Sequence, residues 1–217
     1  SLSNETKTDE SLKKIQAQGI PVVLFDKISK NFNCSKVMIN DRLSAYNAVT
    51  HLLEKGYKKV AHFRGRYNPQ NSIDRFLGYK KALEDFGIPF DESLVYVCDN
   101  NADYEDGYKA AKDLMEDPNK EVDALFTITD VLAVGAMKYC EDQGLKVPED
   151  IAIIGFSNWF MSSVITPSLS TVYQPGVEIG KKAVEVLCSE IHAKLQNKTV
   201  DYQTIILPTR VIPRDST

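Results

Sequence analysis

Histidine, cysteine and tryptophan are scarce in this sequence, and their scarcity argues against several kinds of site. The 217 residues include three histidines, four cysteines and one tryptophan. The cysteines are far apart and form no C-x-x-C pair, so the sequence predicts no metal site and no disulfide framework. Isolated cysteines within apolar segments are typical of reduced, buried thiols, which favours a cytoplasmic protein.

Long apolar runs and an excess of basic residues are also missing. No apolar segment approaches the roughly 20 residues that cross a membrane, so a membrane partner is not expected. Lysine and arginine together number 26, against 30 aspartate and glutamate residues, which gives a net charge of −4. Nucleic-acid phosphates bind to clustered positive charge, so this stretch of chain is not expected to bind DNA by itself.

The predicted fold is organised around a strand–helix–strand unit in the middle of the chain. Apolar patterns predict its two strands at 124–128 and 151–154 and its helix at 131–143. Thr129 or Asp130 can cap this helix, and Gly144 can end it. Such a unit forms a right-handed crossover in a parallel sheet, whose ligands bind at the carboxyl ends of the strands.

Strands and helices alternate in the same way along the rest of the chain. Further strands are predicted at 22–25, 37–39, 59–63, 94–98, 169–173, 204–207 and 210–212. Further helices are predicted at 11–18, 42–55, 73–86, 104–116 and 177–195. This alternation predicts an α/β fold of doubly wound parallel sheets. The first strand lacks upstream neighbours to complete its sheet, so we expect these residues to be part of a longer chain.

Seven segments that span essentially the whole chain carry motifs of one protein family. The most specific are GLKVPEDIAIIGFSN at 144–158 and TPSLSTVYQPGVEIGKKAVEVL at 166–187. The others are GIPVVLFDK (19–27), HLLEKGYKKVAHFRG (51–65), RFLGYKKAL (75–83), TDVLAVGAM (129–137) and LPTRVIPR (207–214). In their order and spacing they resemble the effector-binding domain of the LacI/GalR family of bacterial transcription regulators.

The resemblance implies a two-lobed, periplasmic-binding-protein-like fold of type I, with an effector held between the lobes. The N-terminal lobe would be incomplete and comprise 1–40 and 165–207, and the C-terminal lobe would comprise 41–164 and 208–217. The family's DNA-binding helix-turn-helix would lie upstream of Ser1. The implied partners are a small sugar-like effector, operator DNA through that absent domain, and a second copy of the chain.

Two other functions are weighed against a regulator. A periplasmic sugar-binding protein of a transporter shares the fold, but VPEDIAIIGF and LPTRVIPR favour the regulator. An enzyme is not expected, because no nucleophile elbow, phosphate-binding loop or dinucleotide fingerprint occurs. The sequence therefore predicts no catalytic residue and no cofactor.

The resemblance also predicts which side chains contact the effector. The R-x-x-G-Y motif places Arg75 in the cleft, where its fork of donors can bind sugar hydroxyls, a carboxylate or a phosphate. The other predicted contacts are Asp26, Tyr67, Asn100, Thr129, Asp130, Ser157, Asn158, Trp159 and Gln174. A helix cap explains Asp130 equally well. Phe160 is a further aromatic candidate, but packing explains it as well, and we leave it out of the predicted contacts. Replacing Arg75 with alanine is expected to abolish effector binding and to leave the thermal midpoint of the ligand-free protein nearly unchanged.

Two of the predicted contacts, Thr129 and Ser157, differ from the residues that the family usually has at these positions. Thr129 and Asp130 stand where the family usually has Asn-Asp, and Ser157 and Asn158 stand where it usually has Asp-Asp or Asp-Asn. A carboxylate at position 157 would accept two hydroxyl hydrogen bonds, whereas Ser157 offers one neutral hydroxyl. The ligand is therefore expected to be poorer in hydroxyls, or more anionic, than a simple neutral sugar.

The central helix has a second role in the family, in which its apolar residues meet their copies across a two-fold dimer interface. The corresponding residues here are Val134 and Met137, with Ile165 nearby. An ordinary core stripe explains the neighbouring Leu132 and Ala136 equally well. We therefore expect a homodimer that uses Val134, Met137 and Ile165.

Overall fold

The computed structural model describes residues 1–3, 6, 8–67, 69–98 and 103–217. Within these residues, helices and strands alternate as the sequence predicts. The helices are α1 (Glu10–Ala17), α2 (Asp41–Glu54), α3 (Gln70–Asp85), α4 (Tyr104–Met115), α5 (Asp130–Gln143) and α6 (Gly176–Leu195). The strands are β1 (Val23–Phe25), β2 (Ser35–Ile39), β3 (Val60–Arg64), β4 (Val95–Val97), β5 (Ala124–Thr127), β6 (Ala152–Ile154), β7 (Thr171–Tyr173), β8 (Thr204–Leu207) and β9 (Arg210–Ile212).

The chain divides into two compact units. Unit 1 comprises Ser1–Asn40, Asn68–Asn71 and Pro175–Pro208, and unit 2 comprises Asp41–Tyr67, Ser72–Gln174 and Thr209–Thr217. The prediction that 165–174 belong with the N-terminal lobe is wrong. These residues lie in unit 2 because β7 pairs with β9 in an antiparallel ladder, and Ser157 forms a bridge with Tyr173.

Unit 1 is built on a parallel sheet with the strand order β1-β2-β8. In its register Phe25 pairs with Val37, and Val37 pairs with Ile205. Helix α6 packs against β1 and β2. A small hydrophobic cluster of buried residues in this unit includes Leu24 and Phe32.

Unit 2 is built on a four-stranded parallel sheet with the order β4-β3-β5-β6. All five residues of β3 and all four of β5 are buried, as expected for central strands covered on both faces. Because the strands are parallel, their carboxyl ends meet at one edge of the sheet. The residues that follow β3, β5 and β6 are therefore neighbours, although they are far apart in sequence.

The start and end of α5 follow from its sequence. Thr129 is the N-cap, and its hydroxyl accepts a hydrogen bond from the backbone N–H of Leu132 at 3.4 Å. Gly144 ends the helix with φ 71°, a left-handed conformation that glycine adopts without strain. This capping sets the position of Asp130, the first helical residue, at the carboxyl edge of the sheet.

The structure also shows how the chain places its thiols. Cys34, Cys98 and Cys140 are buried and Cys188 is exposed, and these four described cysteines form no disulfide. No helix in the described residues is both long enough and apolar enough to span a bilayer.

Candidate functional site

Arg75 lies on α3 and is anchored inside unit 2. It is only 4% exposed, and its Nε donates a hydrogen bond to Asp41 Oδ1 at 2.7 Å. Its Nη1 donates to the carbonyl of Ile128 at 2.7 Å, and its Cζ lies 3.5 Å from the ring centroid of Phe156. This anchoring contradicts the expectation that alanine would leave the stability unchanged, because the carboxylate of Asp41 would lose a buried ionic partner.

Asp130 links three segments of unit 2. Its carboxylate accepts hydrogen bonds from the backbone N–H of Trp159 at 2.6 Å and from the hydroxyl of Thr171 at 2.5 Å. The side chain is 1% exposed, and burial raises the pKa of this carboxyl group. Asp130 therefore holds the turn after β6 and the strand β7 against the start of α5. Contact of Asp130 and of the neighbouring Thr129 with an effector stays a prediction.

The turn after β6 has an unusual backbone. Ser157 has φ 107° and Asn158 has φ 53°, a left-handed region that non-glycine residues rarely adopt. Each such residue is expected to cost about 1–3 kcal/mol, and strained residues of this kind cluster at ligand sites. The turn is held by Arg214, whose Nη2 donates to Asn158 Oδ1 at 2.7 Å. The hydroxyl of Ser157 donates a hydrogen bond to the carbonyl of Phe156.

Exposed aromatic side chains follow this turn and also follow β3. Trp159 is 41% exposed and Tyr67 is 64% exposed. Of the two interpretations of Phe160, the structure favours an aromatic candidate over a packing residue, because Phe160 is 66% exposed and makes an edge-to-face contact with Trp159 at 5.2 Å between ring centroids. Trp159 and Phe160 together present an aromatic surface of the kind that binds sugar faces.

Of the remaining predicted contacts, one lies in each unit and one lies outside the described residues. Gln174 follows β7 in unit 2 and is half-buried. Asp26 follows β1 in unit 1, with φ 58°. Asn100 lies outside the described residues. Within unit 2, Phe156 packs against Arg75 and directly precedes the 157–158 turn, and Asp130 accepts a hydrogen bond from the backbone N–H of Trp159 after that turn. The predicted residues Arg75, Asp130, Ser157, Asn158 and Trp159 therefore form one cluster.

Sequence reasoning missed Arg64, the last residue of β3. It is 4% exposed, and its Cζ lies 4.4 Å from the ring centroid of Tyr67 and 4.2 Å from that of Phe76. Its Nε donates to the carbonyl of Gly65 at 3.3 Å. The pattern that points to Asp26 could also have identified Arg64: each is a polar residue at the carboxyl end of an apolar strand. The apolar pattern alone ends the strand one residue earlier, at Phe63, and so leaves Arg64 out.

A groove of about 710 Å³ runs along α5 in unit 2. The residues predicted for the dimer interface, Val134, Met137 and Ile165, all line it, together with Leu145 and Val147. Lys138, Glu141, Lys146 and Glu149 also contribute to its walls. An apolar floor with charged residues around it is typical of a protein–protein interface.

Comparison with known proteins decides the family. The family model described as "periplasmic binding protein-like domain" matches residues 49–217. The chain belongs to this family. Catabolite control protein A of Priestia megaterium is 34% identical over 212 residues, which cover 97% of this chain and 61% of that protein. The ribose operon repressor of Haemophilus influenzae is 30% identical over 200 residues, which cover 92% of this chain and 58% of that protein.

Solved structures of LacI-type regulators share the fold of this periplasmic binding protein-like domain. The complex of the transcriptional regulator CelR with cellobiose superposes with a TM-score of 0.87 and 25% identity, covering 97% of this chain and 63% of that one. A LacI-family regulator from Enterococcus faecium with bound ribose gives a TM-score of 0.84 and 27% identity, covering 97% and 75%.

These matches confirm the predicted α/β fold with parallel sheets and the resemblance to LacI-type effector-binding domains. The curated relatives named above are a catabolite control protein and an operon repressor, which agrees with the prediction that the chain is not an enzyme. The chain spans about 60% of the length of these relatives.

Proposed function

We propose that this chain is the effector-sensing domain of a DNA-binding regulator in the cytoplasm. It binds a sugar or sugar derivative, and operator DNA is bound by another domain of the whole protein. The observation that carries the proposal is the cluster in unit 2 in which Phe156, packed against Arg75, leads into the strained 157–158 turn and the exposed Trp159. The cellobiose and ribose bound to similar regulators support a sugar-like ligand.

The cluster suits a small polar ligand with an apolar face. The ring of Trp159 can stack on the face of a sugar, while the amide group of Asn158 and the hydroxyl of Thr129 can bind ligand hydroxyls. Asn158 belongs to the strained turn and Trp159 directly follows it, so a ligand that binds these residues can bias the conformation of the turn. A regulator responds only if the ligand has different affinities for its two conformational states.

Trp159 provides a direct test because it is the only tryptophan in the chain. We expect a saturable change in its fluorescence on titration with one or more members of a panel that includes ribose and cellobiose, because a stacked sugar displaces water from the indole ring. Calorimetry with Trp159→Ala should show binding weakened by at least about tenfold, the loss of roughly 1.4 kcal/mol of stacking and burial.

The control for this test is Tyr202→Ala, which removes an equally exposed aromatic ring of unit 1, 41% exposed, that is outside the predicted site. It should leave the affinity unchanged. If no sugar of the panel alters the fluorescence or gives heat of binding, the proposal of a sugar-like effector is wrong.

We also propose that the groove along α5 is the interface of a homodimer. The groove holds all three side chains that the family resemblance assigns to the interface, and LacI-type repressors bind two-fold operators as dimers. In a dimer the apolar residues of the two grooves would cover each other and be removed from water, which favours association.

Val134→Glu should convert a dimer into a monomer, because the dimer would then bury two like charges close to its two-fold axis. Sedimentation velocity over a concentration series measures this directly. The control is Val184→Glu, at an exposed valine of α6 (60% exposed) that does not line the groove. A wild-type protein that sediments only as a monomer, or a Val134→Glu variant that stays dimeric, would refute this interface.

A further inference from the structure

Arg64 is a buried cation whose charge is not neutralised by any other described residue. The side chain lies within unit 2 at the carboxyl end of β3 and is only 4% exposed. In the described residues, no carboxylate forms an ion pair with it, and the carbonyl of Gly65 is the one acceptor that it reaches, through Nε. Its Nη1 and Nη2 therefore have four N–H donors without a protein acceptor in that part of the chain.

Arg75 shows what a structural arginine looks like in the same unit. Arg75 is equally buried, but it has a carboxylate partner in Asp41 and a carbonyl partner in Ile128. Buried charges are normally paired, because an unpaired charge loses its hydration without compensation. Among the described residues the arginine at position 64 lacks this pairing, so its burial calls for a different explanation.

The surroundings of Arg64 hold its guanidinium in place without neutralising it. The rings of Tyr67 and Phe76 each lie within 4.4 Å of Cζ, and stacking of this kind orients the planar group while leaving its edge free. His62, two residues earlier on the same face of β3, adds no positive charge near neutral pH, because burial lowers its pKa to about 3. The fork of Nη donors is thus fixed and positively charged, and no acceptor in the described residues satisfies it.

We propose that Arg64 binds an anionic group of the effector, a phosphate or a carboxylate, through its two Nη nitrogens. This inference rests on the proposed function and narrows its ligand to an acidic or phosphorylated sugar. A guanidinium fork matches both groups in geometry, and ligands of a parallel sheet bind at the strand ends where Arg64 lies. Ser157, which follows β6 at the same edge of the sheet, carries a neutral hydroxyl and so adds no negative charge that would repel such a ligand.

The first experiment tests the anion site without assuming the identity of the effector. Thermal unfolding is measured in inorganic phosphate and in chloride at equal ionic strength, for the wild type, Arg64→Gln and Arg64→Lys. Phosphate at ten times its dissociation constant should raise the wild-type Tm by roughly 3–6 °C. Arg64→Gln should lose this rise, whereas Arg64→Lys should keep part of it, since lysine keeps the charge and loses the fork.

The control for this experiment is Arg42→Gln, which makes the same change of charge at an exposed arginine of unit 2. It should keep the full phosphate response. If the wild type shows no response beyond that in chloride, or if Arg64→Gln responds as the wild type does, the anion site at Arg64 is refuted.

The second experiment compares neutral and charged forms of the same sugar by calorimetry: ribose with ribose 5-phosphate, and glucose with glucose 6-phosphate and with gluconate. For the wild type, at least one charged member should bind ten times or more tightly than its neutral partner, and Arg64→Gln should remove that preference. Equal binding of the neutral and charged members would overturn the inference while leaving a sugar effector intact. Absence of binding by every member would overturn the proposed function, whereas the phosphate experiment judges Arg64 separately.

Discussion

Replacing Arg75 with alanine is expected to lower the free energy of unfolding by about 3–5 kcal/mol. The guanidinium and the carboxylate of Asp41 form a pair in which both side chains are 5% exposed, 2.7 Å apart. Alanine would take a buried ionic partner away from the carboxylate, would remove the donor that binds the carbonyl of Ile128, and would open a gap against the ring of Phe156. Each of these changes destabilises unit 2 in the absence of any effector.

Urea unfolding followed by circular dichroism measures this effect, with Lys81→Ala as the control. Lys81 forms an ion pair with Asp85 at 2.6 Å, but the two side chains are 43% and 38% exposed, so its loss should leave the stability nearly unchanged. Arg75→Ala and Lys81→Ala variants of equal stability would show that the buried pair contributes nothing. Because Arg75→Ala weakens the fold, its loss of effector binding is informative only under conditions in which the variant is shown to be folded.

Replacing Gly135 with alanine is expected to destabilise unit 2 by about 1–3 kcal/mol or more. Helices α4 and α5 are in close backbone contact at Gly135 and Gly107. A Cβ atom at Gly135 would lie 2.1 Å from the carbonyl oxygen of Tyr104, and one at Gly107 would lie 2.2 Å from the carbonyl oxygen of Leu132. Backbone atoms cannot rotate away as a side chain can, so the two helices would have to separate and lose packing along their length.

A matched control for this substitution is available in α6. Gly180 lies inside this helix, and a Cβ atom added there would meet nothing within 4 Å. Gly180→Ala should therefore raise the stability by about 0.4–1 kcal/mol, since alanine restricts the unfolded chain and favours the helix. Thermal unfolding of both variants should show shifts of opposite sign. Shifts of the same sign would mean that the close approach of α4 and α5 does not limit the residue at position 135.

The two buried arginines of unit 2 are expected to respond differently to substitution. Loss of Arg75 removes an ion pair and should chiefly reduce stability, whereas loss of Arg64 removes a charge that no described carboxylate pairs and should chiefly reduce anion binding. Measuring both quantities for both variants separates a structural role from a ligand-binding role. The sequence does not reveal this difference, because the carboxylate that pairs with Arg75 is 34 positions away in the chain and no local pattern signals the contact.

The sequence by itself determined the order and nature of the helices and strands. These depend on local information: the spacing of apolar residues, the hydroxyl of Thr129 that caps α5, and the freedom of Gly144 to end it. The motifs that carry the family resemblance are local as well. For that reason the α/β fold, and the expectation that functional residues lie at strand ends, follow from the amino-acid pattern alone.

The tertiary structure alone decided which side chains are buried, paired or exposed. Arg75 and Asp41 are 34 positions apart in the chain, and Asp130 and Thr171 are 41 apart, so no local pattern signals either contact. Phe160, an aromatic residue that the sequence offers equally for packing, is 66% exposed. Arg64 is buried without an ionic partner because two aromatic rings, and no carboxylate among the described residues, pack beside it. The spacing of apolar residues indicates which face of a helix or strand is buried. The residues that this face contacts depend on how distant segments of the chain pack.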